Sequence, residues 1–156
     1  MDVAVTTLLA VTLPFALVVL LVFGMRRPTN VRIDIEHDNL VVQLRGWDAL
    51  YCVKRRIAFP LADVDGVGVY MRSQVPAEGL RAPGTAIPGL IRAGSYGRGD
   101  TRDFWNVRAA EEVLVIQLKP GSEYRRIVLE VPAPREEMLR LRPLLGALSW
   151  IPPVTG

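Results

Sequence analysis

The stretch VRIDIEHDNLVVQLRG (31–46) decides what kind of fold this chain has. Val31, Ile33 and Ile35 alternate with Arg32, Asp34 and Glu36, a period of two that puts an apolar row on one face of a strand and a charged row on the other. A second run, LVVQLRG (40–46), follows after Asp38-Asn39, a two-residue turn signal. The pattern predicts an antiparallel hairpin with His37 on a strand edge beside the turn.

Toward the C-terminus the same signature recurs. Strands are expected at YCVKRRIAF (51–59), GVGVYMR (66–72), RDFWNVR (102–108), VLVIQLK (113–119) and YRRIVLEV (124–131), with turns at Asp65-Gly66 and Pro120-Gly121. At Pro132-Ala133-Pro134 the period changes. Pro134 suits a first helical turn, Glu136 and Glu137 suit the positive end of a helix dipole, and Met138, Leu141, Leu145 and Leu148 recur at helical spacing. The expectation is one mainly antiparallel β domain of about seven strands over 31–150, closed by a C-terminal helix bent at Pro143, with a tail over 151–156.

Toward the N-terminus the composition shifts abruptly. VAVTTLLAVTLPFALVVLLVFG (3–24) carries no charge; as a helix it reaches about 33 Å, enough for a hydrocarbon core of roughly 30 Å. A transmembrane helix is expected there, kinked near Pro14, with Thr6, Thr7 and Thr12 available to bond helix carbonyls. A signal peptide would need a basic start, a shorter apolar run and a small-x-small cleavage site, and none is present. Arg26, Arg27 and Arg32 follow the span and only Met1-Asp2 precede it. The positive-inside rule therefore places the N-terminus outside the plasma membrane and the domain, joined through a linker over 25–30, in the cytoplasm.

KRRIAFPLADVDGVGV (54–69), PGTAIPGLIRAGSYGRGDTRDFWNV (83–107) and VLVIQLKPGSEYRRIVLEVPAP (113–134) together resemble a family of small bacterial membrane-anchored proteins of unknown function with a pleckstrin-homology-like (PH-like) domain. The resemblance covers about residues 31–142. It implies a PH-like barrel, two sheets with a helix plugging one open end, and it brings no functional residues. A bacterial source also agrees with the bias of 17 Arg against two Lys, Lys54 and Lys119.

The net charge of +3, from 19 basic and 16 acidic residues, is too small and too interspersed to indicate nucleic acid. One cysteine, Cys52, excludes an intramolecular disulfide and a cysteine metal cluster, and is expected to be a small buried residue. With His37 the single histidine, neither a nucleophilic triad nor a zinc site has a local signature. The pairs Asp63/Asp65, Asp100/Asp103 and Glu111/Glu112 read as turn or surface residues, and the glycines of 94–99 lack the Lys-Ser/Thr ending of a phosphate loop. No enzyme activity, metal, cofactor or small-molecule substrate is expected.

What remains is an interaction role. Ser73 to Tyr96, punctuated by Pro76, Pro83, Pro88 and four glycines, reads as a long ordered loop with apolar residues at its tip, either a partner-binding surface or an irregular excursion folded over the barrel to complete its core. Pro83-Gly84-Thr85 and Pro88-Gly89 predict two tight turns. Leu90, Arg92 and Tyr96 are the candidate contacts with a membrane-protein partner, supported from the sheet by Phe104 and Trp105. The expected function is a non-enzymatic interaction or scaffolding module, an accessory subunit of a plasma-membrane assembly. The alternative is a lipid-headgroup-binding or membrane-sensing domain, using Arg26 and Arg27 at headgroup level and a pocket of Arg45, Lys54 and Arg56; an enzyme of unrecognised type stands third.

The orientation is directly testable. A reporter active only in the cytoplasm, fused after Gly156, should be active, and one active only outside should be silent; the reverse result would put the domain on the other side of the membrane.

Overall fold

A computed structural model describes residues 29–76, 79, 86–87 and 91–145, together with positions 12, 14–16 and 19. Those five N-terminal positions are helical, with Phe15 and Val19 exposed. The rest of the apolar segment, Arg26, Arg27, Leu90, both proline-glycine turns, Leu148 and the tail lie outside the described residues. Among the described residues no helix is long and apolar enough to cross a membrane.

The domain is mainly β, with two sheets and a C-terminal helix. Strands β1 (Val31–Glu36), β2 (Asn39–Leu44) and β3 (Arg56–Pro60) form an antiparallel sheet in that order. The β1–β2 hairpin turns at His37-Asp38, one residue earlier than expected, since Glu36 pairs with Asn39 and both loop residues have positive φ (48° and 63°). Two positive φ values give the turn whose twist matches its flanking strands. His37 is thus a loop residue.

Between β2 and β3 the structure corrects the expected strand over 51–59. Trp47–Cys52 is a short helix, α1, and only Arg56 of Lys54-Arg55-Arg56 is in β3. Trp47 stacks on Tyr51 at 5.9 Å, and Tyr51 and Cys52 are buried. The helix ends at Val53, whose N–H reaches the Leu50 carbonyl with φ at +55°. Left-handed helix ends normally carry glycine; a β-branched residue there bears strain of roughly 1–2 kcal/mol.

The second sheet comprises β4 (Val64–Met71), β5 (Ala86–Ile87), β6 (Ile91–Tyr96), β7 (Asp103–Val107), β8 (Glu112–Leu118) and β9 (Arg126–Leu129), in the order β4-β8-β9-β7-β6-β5. Two expectations change here. Asp65-Gly66 is no turn but a register shift inside β4, and the long loop after Ser73 contains β5 and β6. The glycines after Tyr96 serve the β6–β7 connection, where Gly97 has φ +80° and a Cβ would lie 2.4 Å from the Thr101 carbonyl oxygen.

Strand β9 lies antiparallel to β8 but parallel to β7, the single parallel pair among the described strands. The β7–β8 connection must therefore arch over an intervening strand, about 9–10 Å of sheet. Its backbone donors have no ladder partner, and Glu130, just past β9, accepts all three: Arg108, Ala109 and Ala110 N–H lie 2.7, 3.0 and 3.0 Å from Oε2.

Alternation along these strands fills two cores. Phe104, Leu114, Ile116, Ile127 and Leu129 join Leu40, Val42, Ile57 and Phe59 in the main core, while Trp105, Val113, Val115 and Val128 form a second one with Val75 and Tyr96. The C-terminal helix α2 (Pro134–Leu141) starts at Pro134 as expected and gives way at Arg142 to a tighter turn through Pro143. Leu141 and Leu145 enter the main core, and Arg140 reaches the Ile33 carbonyl of β1. Leu141→Asp should therefore abolish the cooperative melt of the full-length protein in mild detergent, since an unpaired buried charge costs several kcal/mol against a total stability of roughly 5–15. His37→Ala, in the exposed turn, should leave it unchanged.

Candidate functional site

The residues expected to face a partner separate in the structure. Tyr96 is only 7% exposed and meets Trp105 edge-on at 6.4 Å. Phe104 and Trp105 are fully buried on opposite faces of β7. Arg92 alone of the described candidates reaches an accessible position. It is half-buried on β6, with its guanidinium 5.3 Å from the centre of the Trp105 ring.

Arg92 is joined there by a residue the sequence reading missed. Arg72, at the end of β4, donates to the Arg108 carbonyl at 2.8 Å, which aims it at the same cleft. This opening, about 750 Å³, is bordered by Met71, Val75, Pro76, Ala110 and Glu111 besides the two arginines. Burial, reinforced by the charge of Arg92, holds the Arg72 guanidinium below its ordinary value, with Glu130 acting in the opposite sense. Two like charges held at one opening form a site suited to a carboxylate or phosphate. The missed signal was the rim position of Arg72: a long cation at a strand end, next to the proline-rich stretch.

The expected basic pocket does not gather. Arg56 pairs with Glu36 at 2.8 Å, and Arg45 bonds Gln43, which in turn bonds Glu36. Lys54 lies elsewhere, 3.1 Å from Glu123 and 2.6 Å from the Tyr124 hydroxyl, which also meets Ser95 Oγ at 3.2 Å. Although burial acts against it, those bonds hold the Lys54 ammonium above its ordinary value. Arg102 faces the Tyr124 ring at 5.2 Å.

Two further charge groups are structural. The Asp103 carboxylate, fully buried, takes Arg125 at 3.1 Å and Arg126 at 2.7 Å, and Arg126 also bonds the Pro76 carbonyl. Asp48, in α1, accepts the Asn30 N–H at 2.8 Å and Asn106 Nδ2 at 3.2 Å, and pairs with Arg108 at 3.4 Å. Among the described residues no three His, Cys, Asp or Glu side chains come together as metal ligands would. Comparison with protein-family models, with characterised proteins and with solved structures gives no match to this chain.

Cys52 lies against this buried group, its Sγ 3.6 Å from the Trp105 carbonyl oxygen. Burial, and then the negative charge of Asp48, push the thiol up to about 12, against opposing effects of the Gly94 backbone and Arg108. At pH 8 such a thiol is ionised about once in ten thousand molecules, so Cys52 should resist alkylation in the native protein and react only on unfolding. The folded pKa lies above the unfolded value of 9.0, so this contribution to stability is complete below about pH 9 and is lost as the pH rises toward 12. Alkylation rates and melting temperatures between pH 7 and 11 measure both; rapid native alkylation at pH 8 would contradict the buried placement.

Proposed function

We propose that this chain is a single-pass membrane protein whose PH-like domain serves as a non-enzymatic interaction module, an accessory subunit of a plasma-membrane assembly, on the cytoplasmic side. Residues 3–24 are the span. The observation that carries the interaction role is the cleft where Arg72 and Arg92 meet beside exposed Met71 and Pro76. A partner segment with an acidic side chain beside an apolar one satisfies both features: its carboxylate relieves the repulsion between the guanidiniums, and its apolar neighbour covers Met71. The helical conformation and exposure of Phe15 and Val19 support the span, because a lipid-facing helix presents apolar side chains outward. The two-sheet architecture with Leu141 and Leu145 of the C-terminal segment in the main core supports the PH-like reading. The inserted parallel β9 is a departure from a simple antiparallel meander.

The test is charge reversal at the cleft. Arg72→Glu with Arg92→Glu in the full-length protein should abolish co-purification of specific membrane-protein partners from mild detergent while shifting the melt by only a few degrees, since both side chains sit at the rim. Partners retained by the double variant at wild-type levels would overturn the assignment of the cleft.

A further inference from the structure

The two sheet registers put one end of the three-stranded sheet together in space. Val31 pairs with Leu44, Gln43 with Arg56, and the Leu44 N–H bonds the Arg55 carbonyl at 2.9 Å, so the start of β1, the end of β2 and the start of β3 are side by side. The Arg45 N–H bonds the Asn30 carbonyl at 3.1 Å, which places the incoming chain at the same end. Helix α1 covers this end, held inward by Asp48.

The outward side of that helix is unusual. Leu50 and Val53 are 65% and 67% exposed, large apolar residues on a short helix and its cap. Val53 also carries the left-handed strain, which glycine at that position would avoid. Strain of this kind persists where the surroundings or a function require it. At the same end of the sheet stand Arg32, Arg45 and Arg55, all exposed and none in an ion pair among the described residues, with Arg45 bonding only the Gln43 amide. The opposite end of the sheet carries the acidic Asp38 and Asp63 instead. Among nearby acids, Asp48 is buried against Arg108, Glu123 is engaged by Lys54 and Arg102 and Glu36 by Arg56, so that exposed Asp34, beside Arg32 on β1, still leaves this end with an excess of positive charge.

From Gly24 to Asn30 the chain can reach at most about 20 Å. We infer that the end of the three-stranded sheet capped by α1 is the face that rests on the membrane, with Leu50 and Val53 entering the headgroup–acyl boundary of an anionic leaflet and Arg32, Arg45 and Arg55 meeting its phosphates. The inference rests on the reading of residues 3–24 as a span, which supplies the tether. Apolar side chains sharing one end of a sheet with arginines suit this boundary, where the aliphatic groups leave water and each nearby cation gains from the surface potential.

The test uses the full-length protein in vesicles of phosphatidylcholine and phosphatidylglycerol, 3:1. Leu50→Cys, Val53→Cys and, as the distal control, His37→Cys are labelled with one environment-sensitive fluorophore, buried Cys52 remaining unlabelled, and quenched with lipids doxyl-labelled near the headgroup. Quenching severalfold stronger at positions 50 and 53 than at 37, and weakened by Arg45→Ala with Arg55→Ala, is the expected result. Equal quenching at all three positions overturns the inference, and a difference that persists unchanged in pure phosphatidylcholine overturns the role of the arginines. Alkaline carbonate extraction of the same vesicles separates the two readings: release of the protein defeats the span and this inference together, whereas retention with equal quenching defeats this inference alone. Val53→Gly supplies a second readout. It should raise the melting temperature by removing strain while lowering the quench at position 50; an unchanged quench would show that Val53 has no part in the contact.

Discussion

A carboxylate and a guanidinium meet out of water beneath a six-residue helix, and much of the domain depends on that meeting. The side chains of Asp48 and Arg108 are each 2% exposed. Such a pair adds little net stability over an apolar packing, but removing either partner leaves the other charge buried, at a cost of about 3–5 kcal/mol. Its value is positional. Asp48 belongs to α1, Arg108 and Asn106 to β7 and its end, and Asn30 to the chain entering the domain. One carboxylate thereby locks together the helix, the second sheet and the point of entry, which no apolar contact could specify so narrowly.

The same grouping explains why α1 is short yet well defined. Its inward face is committed to Asp48, Tyr51 and Cys52, all buried, which leaves Leu50 and Val53 no inward position. Their exposure follows from the polar anchor on the other side of the helix.

How much of this was legible in the sequence depends on how local each cause is. The β1–β2 hairpin, β4, β7 and β8, and the helix from Pro134 through Leu141 could be read because two- and 3.6-residue periods are written into neighbouring residues. Helix α1 could not: six residues show too little periodicity, and Tyr51-Cys52-Val53 carry strand preference. Strand β6 was hidden by Ala93 and Gly94, small residues whose place is set by Trp105 across the ladder from Gly94. The role of Asp48 has no sequence signal, because nothing near it in sequence announces Arg108, sixty residues away. For the same reason Tyr96 was read as a contact residue when its packing partner, Trp105, holds it inside. Strand order is the least local property of all, and the parallel seating of β9 left no trace that a pattern could catch.

That seating has a consequence for how the domain comes to exist. Without β9, the strands β4 and β8 form one ribbon and β7, β6 and β5 another, with no ladder between them. The sheet becomes continuous only when residues 126–129 slide into the gap, and the arch at 108–110 gains its Glu130 acceptor at the same moment. During synthesis, therefore, the N-terminal apolar segment leaves the ribosome more than a hundred residues before the strand that unites the sheet. The domain stays two incomplete halves until that strand is made, and its folding is a late event.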